Sequence, residues 1–147
     1  MRRTASALLL AWVLAPAWAR GEETPKESKP AAASDRSADT AVLSEDGSAV
    51  GPLDKHRVKG KYTVFDVYAE WCNPCRLVDR HLKTILTQRQ DVAVRKLNVV
   101  DFDSPLAREL GPDFDSLPYV IVYSPQGKRV EIFGADLDRL DAALRPR

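Results

Sequence analysis

Apolar residues in this 147-residue chain fall into three zones. Ala5 to Ala15 is a short apolar run behind Arg2 and Arg3. From Arg20 to about Val50 small, polar and charged residues dominate, and no aromatic residue stands between Trp18 and Tyr62. Beyond Val50 apolar positions recur with the periods of folded elements up to Leu144. Tyr62 to Ala69 (YTVFDVYA) is β-branched and aromatic with one charge, the pattern of a strand covered on both faces. Pro74 then opens a helix whose Val78, Leu82, Ile85 and Leu86 share one face. Asp91 to Val100 returns to strand character, and Ser104-Pro105 starts a short helix that stops near Gly111-Pro112. Tyr119 to Tyr123 and Lys128 to Phe133, joined by Pro125-Gln126-Gly127, predict an antiparallel hairpin. Asp136 to Leu144 closes with Leu137, Leu140 and Leu144 on one helical face. An edge strand over 49–53 is a further candidate, against which Pro52 counts by removing a ladder donor.

Alternating strands and helices predict an α/β domain: a three-layer α/β/α sandwich with a mixed central sheet, its first two strands parallel. The domain is expected over 51–147, large enough for a single core. Residues 1–19 read as a cleavable secretory signal, because a basic start, an apolar run of about 11 residues and Ala17-Trp18-Ala19 fall short of the roughly 20 residues that span a bilayer. Residues 20–50 are expected to be a flexible, disordered linker, with too little apolar area to offset its ordering entropy.

Charge narrows the function. With 22 Lys plus Arg against 21 Asp plus Glu, the chain has no field that gathers nucleic acid or anionic lipid. Two cysteines and two histidines are a poor supply for a disulfide-stapled fold or a four-ligand zinc site. Both cysteines lie in Cys72-Asn73-Pro74-Cys75, at the junction of the Tyr62 to Ala69 strand and the helix that follows it. Free amides and the helix dipole there favour a thiolate. Cys72, the outer sulfur, is expected to attack, and Cys75 to resolve the mixed disulfide. The spacing alone also suits half a zinc site, a copper(I) carrier or a structural disulfide, each with less support from the surrounding residues. Asp66, inside an apolar strand, is a candidate proton acceptor for Cys75, because desolvation raises a carboxyl's pKa.

From Asp66 to Arg76 (DVYAEWCNPCR) the chain closely resembles the thioredoxin family. Arg95 to Val99 resembles that family's third strand, Leu117-Pro118-Tyr119 its cis-proline loop, and Phe133-Gly134-Ala135 its glycine turn. The resemblance implies Cys72 and Cys75 as the redox pair, Asp66 as the buried acid and Lys96 as that acid's basic neighbour. It implies a cis bond before Pro118, against the general rarity of such bonds. Substrate is then expected along Trp71, Asn73, Pro74, Leu117, Pro118 and Gly134, pairing with the Leu117 backbone as an added strand. Asn73 and Tyr68 depart from the residues most familiar at their positions in the family. The segment before Tyr62 is shorter than the family's amino-terminal strand and helix. Neither histidine is assigned a role, and His81 is expected on an exposed helix face.

The expected function is thiol–disulfide exchange with protein thiols and disulfides, in the reducing or isomerising direction, with no cofactor beyond the Cys72–Cys75 pair. A membrane-borne or other thioredoxin-like electron donor is the expected partner, with no nucleic acid and no membrane insertion after signal cleavage. The expected location is a bacterial periplasm. Two alternatives remain: a non-catalytic binding module of the same fold, and a specialist donor to one client, as in cytochrome c maturation.

Overall fold

A computed structural model describes residues 39–146. In chain order the elements are β1 (Thr40–Ser44), a single 3-10 turn (Leu53–His56), β2 (Tyr62–Tyr68), α1 (Cys75–Gln88), β3 (Val92–Asn98), α2 (Pro105–Leu110), β4 (Tyr119–Tyr123), β5 (Arg129–Phe133) and α3 (Leu137–Ala143). The strands form one mixed sheet in the order β1-β3-β2-β4-β5. β2 runs parallel to β3 and antiparallel to β4, and β4 and β5 form the expected hairpin.

Central position explains why β2 is apolar on both faces. On one side Val64, Val94, Val120 and Val122 meet Val78, Leu82, Ile85 and Leu86 of α1 and Leu140 and Leu144 at the end of the chain. On the other, Phe65, Val67, Leu97 and Ile121 meet Leu106 and Ala107 of α2. Each fully buried Leu, Ile or Phe contributes about 1.5–3 kcal/mol. The short helices rely on capping: Ser104 Oγ accepts from the Ala107 N–H at 3.1 Å, with Pro105 at the first turn, and Asp136 accepts from the Arg139 N–H at 2.9 Å.

Two expectations about the amino-terminal part are corrected. The flexible segment expected over 20–50 ends sooner, because Thr40–Ser44 forms β1 and pairs in parallel with β3. Asp39 ties this strand to Lys61 and Arg95, each at 3.0 Å, and Leu43 packs under the sheet. Hydrogen bonding to a neighbouring strand supplies what local composition lacks. The strand considered over 49–53 does not form; Pro52 instead precedes the 3-10 turn, whose Leu53 packs against the α2-side core. The turn from β1 passes so close to α2 that it needs glycine. Gly47 has φ +78°, and a side chain there would meet Ser104 Cβ at 2.9 Å and the Val99 carbonyl at 3.0 Å. The signal expected over 1–19, and the linker up to residue 38, lie outside the described residues. Among the described residues no helix is long and apolar enough to cross a membrane.

Candidate active site

Strand β2 ends at Tyr68, and a tight turn leads to Cys72, whose N–H donates to the Ala69 carbonyl at 3.0 Å. α1 begins at Cys75 with no polar side chain capping it. The Cys75 N–H instead donates to Cys72 Sγ at 3.2 Å. An uncapped helix start thus aims an amide at one sulfur and stabilises negative charge there, which favours Cys72 as the nucleophile. Cys72 and Cys75 form a disulfide with a Cα–Cα distance of 5.4 Å. Cys72 lies just before the helix rather than inside its first turn. Both residues are 4% exposed, so exposure does not rank them and the hydrogen bond does.

Asp66 is 1% exposed and sits on central strand β2 beside Lys96 of β3, its register partner. Lys96 Nζ is 3.6 Å from Asp66 Oδ2, near enough for Coulomb attraction but too far for a hydrogen bond. Asp66 Oδ1 has no partner. Burial pushes this carboxyl up to about 6 against the pull of Lys96, and the nearby Asp79 carboxylate adds to the rise. A cavity of about 240 Å3 is lined by Asp66, Cys72 and Cys75 together. Asp66 and Cys75 therefore share one space that water can enter.

Lys96 is not a free surface lysine. It hydrogen-bonds Asp79 Oδ1 at 2.5 Å and lies 4.7 Å above the Tyr68 ring. Burial opposes its charge, yet the Asp79 hydrogen bond and the Asp66 carboxylate hold its pKa above the usual value. Asp79 was not among the residues expected to act. Its spacing four residues beyond Cys75 and four before Lys83 puts all three on one flank of α1, the one signal that marks it.

The expected groove residues fall in the cysteine turn, in the cis-proline loop and at the Gly134 turn bonded to that loop. Asn73 and Pro74 are exposed between them. The Leu117–Pro118 peptide is cis, and Leu117 packs against the core that contains both cysteines. No hydrogen bond among the described residues holds the Leu117 N–H or C=O. Gly134, at φ +76°, donates to the Pro118 carbonyl at 2.8 Å and so joins the two loops. Trp71, 57% exposed, donates from Nε1 to the Val100 carbonyl at 2.7 Å. Val100 has φ +63°, a conformation costly for a β-branched residue, and its N–H is held by Asn98 Oδ1 at 2.9 Å. Sequence patterns carried no sign of this turn. Nor did they reveal a row of aromatic rings from Trp71 through Phe102, Phe114 and Tyr119 to Phe133, with centroids 5.9, 5.5, 5.6 and 4.6 Å apart. His81 is not simply exposed, because its Nε2 meets Asp141 at 2.7 Å and links α1 to α3. His56 Nε2 lies 2.8 Å from the Val50 carbonyl. Among the described residues no group of three or more His, Cys, Asp or Glu is arranged to hold a metal ion.

The thioredoxin family model matches residues 54–145. The chain belongs to the thioredoxin family. Thioredoxin AMT13 of Alternaria alternata is 30% identical over 89 residues, covering 60% of this chain and 73% of that protein. The chloroplastic F-type thioredoxin of Brassica napus is 32% identical over 84 residues, 57% of this chain but 45% of that protein, so the chain spans a little under half of that relative. Thioredoxin O2 from Arabidopsis thaliana, in its oxidized state, has a TM-score of 0.54 at 28% identity, covering 71% of this chain and 90% of that one. The short form of spinach chloroplast thioredoxin F shares the fold, with a TM-score of 0.57 at 24% identity over 73% of this chain and 91% of that one. Membership of the thioredoxin family and the paired Cys72 and Cys75 together support thiol–disulfide oxidoreductase activity.

Proposed function

We propose that the protein reduces or isomerises disulfides of protein substrates through Cys72 and Cys75. The observation that carries this reading is the pair's position at the uncapped start of α1, in a cavity shared with Asp66. In the reduced protein the Cys72 thiolate attacks one sulfur of a substrate disulfide, and the other substrate sulfur leaves as a thiolate. Cys75 passes its proton, through water in the cavity, to Asp66. The Cys75 thiolate then attacks Cys72, releasing the second substrate thiolate and closing the disulfide found here. Two electrons pass from the protein to the substrate, and a dithiol donor must return them.

Pairing of an extended substrate segment with the unpartnered Leu117 backbone, beside Trp71, Asn73, Pro74 and the Pro118–Gly134 corner, would hold the scissile disulfide over Cys72. Lys96 serves this reading by balancing the buried acid. The chemistry calls on no cofactor other than the sulfurs. Export to a bacterial periplasm, with a membrane-borne or thioredoxin-like donor, is part of the same proposal and rests on the pattern of residues 1–19. Sequencing the mature amino terminus tests it: a start at Arg20 supports export, and retention of Met1 counts against it.

The test of the activity is insulin reduction with dithiothreitol as donor. Cys72→Ser is expected to bring the rate to background, and Cys75→Ser to accumulate mixed disulfides through Cys72. Retained activity in Cys72→Ser would overturn the assignment. Equilibrating the pair with glutathione separates this reading from its rival. Ready exchange supports an oxidoreductase, whereas a disulfide that does not exchange supports a binding module of the same fold.

A further inference from the structure

Asp66 is buried, charged at neutral pH and poorly partnered, although an ammonium lies beside it. Ordinarily a buried carboxylate and a neighbouring lysine close into a hydrogen-bonded pair, because each otherwise loses hydration without return. Here the pair stays open at 3.6 Å, and the cause is visible on α1. Asp79 takes Lys96 Nζ at 2.5 Å through Oδ1 and Lys83 Nζ at 2.7 Å through Oδ2. Charge-assisted bonds of this kind are about twice as strong as neutral ones, so Lys96 settles on the carboxylate that reaches it best. The Tyr68 ring, 4.7 Å below, supports the ammonium where it stands. We propose that Asp79 is a positioning residue for thiol exchange: by binding Lys96 and Lys83 together it holds Lys96 off Asp66 and leaves that carboxylate free to take the proton of Cys75.

Geometry around the four side chains supports this role. Asp66, Asp79, Lys83 and Lys96 line both the 240 Å3 cavity that contains the sulfurs and a second cavity of about 200 Å3 on the Thr40 side. They stand between the two spaces, so small shifts of Lys96 decide which carboxylate it serves. The groups facing Asp66 come from four directions. β3 presents Lys96, α1 presents Cys75, Asp79 and Lys83, and Tyr68, Glu70 and Arg76 line the cavity on the sulfur side. β4 presents the apolar Val120. Among these, Asp79 is the group that both competes for Lys96 and repels charge on Asp66. Burial would raise the Asp79 carboxyl, but hydrogen bonds from Lys83 and Lys96 outweigh that and hold it below the usual range, so it stays an anion while Asp66 exchanges protons.

The inference rests on the reading of Asp66 as proton acceptor, and the experiment separates the two. The Asp66 carboxyl carbon is titrated by NMR in the disulfide form of the full chain, and the pH profile of insulin reduction is recorded in parallel. In Asp79→Asn, Lys96 is expected to close on Asp66, moving the Asp66 midpoint down by about one pH unit, a tenfold change in its acid constant. The acid limb of the rate profile should move with it, and the rate at pH 7 should fall severalfold because a weaker base takes the proton. Asp79→Glu should restore most of the midpoint. In a Lys96→Met background the Asp79→Asn shift should shrink to under about a third, since the action runs through Lys96. An unmoved midpoint in Asp79→Asn, or a shift of equal size without Lys96, would overturn the role of Asp79 alone. An Asp66→Asn protein with an unchanged pH profile would overturn the proton-acceptor reading, and with it the catalytic part of the inference.

Discussion

The two ends of α1 handle charge in opposite ways. At its carboxyl end Arg89 donates to both oxygens of Asp91 at 2.9 and 2.6 Å and to the Leu144 carbonyl at 2.7 Å, with its guanidinium 5.4 Å over the Tyr62 ring. Tyr62 in turn donates to the Arg145 carbonyl at 3.0 Å. Charge there is fully matched, and it ties α1, β2 and the end of the chain together. At the amino end Asp66 keeps an unpartnered oxygen, Lys96 is divided between two carboxylates, and Val100 holds a left-handed backbone. A buried polar group left unpaired costs about 1–3 kcal/mol. The molecule bears that cost beside its sulfurs and avoids it at the far end. Satisfied charge fixes structure, and unsatisfied charge is what a proton can still move to.

Asp66→Asn strikes at the centre of that contrast and should have the largest effect. Insulin reduction near pH 7 should slow roughly tenfold to a hundredfold, at or below the usual contribution of a positioned proton acceptor because water still enters the cavity. Stability should move the other way. The folded pKa of about 6 lies above the ordinary 3.8, so ionisation is disfavoured in the native state. That penalty is absent below about pH 4, grows as pH rises and is complete above about pH 6, reaching about 2–3 kcal/mol. Urea unfolding at pH 8 should therefore find the variant more stable, and at pH 4 the difference should vanish. Equal stability at both values would break the comparison at its reactive end.

Arg89→Ala tests the other end. Losing charge-assisted bonds to Asp91 and Leu144 should cost about 1–3 kcal/mol in chemical unfolding while leaving the rate of thiol exchange unchanged. A rate change would mean that the two ends are coupled. Val100→Gly should have the smallest effect on stability, a gain of up to about 1 kcal/mol from relieving the left-handed valine. Its signature is elsewhere: the Trp71 indole N–H, held by the Val100 carbonyl, should exchange with deuterium faster once that turn loosens. Unchanged exchange would show that the turn does not set the indole.

Much of this was legible in the residues, and what was not has physical reasons. β2 announced itself because a strand between two others, covered on both faces, has to be apolar throughout, and Asp66 stood out for the same reason. The Cys72-to-Cys75 turn was visible because four adjacent residues carry it. β1 was hidden because an edge strand needs little apolar surface of its own, and Thr40–Ser44 borrows its stability from β3. Asp79 was hidden because the polar flank of an amphipathic helix looks the same whether a carboxylate meets water or a lysine 17 residues away on another strand. No residue type signals a left-handed valine, since that conformation is imposed by Asn98 and Trp71 from outside.

β1 lies before the stretch that the family model matches, 54–145, yet it is the strand that closes one side of the sheet. Without it β3 would become an outer strand, its row of N–H and C=O groups bare beside Val92, Val94 and Leu97. Such a border recruits a second copy as readily as it once held β1. Five residues of modest composition thus cover an edge of β3 that would otherwise be open to pairing with another chain.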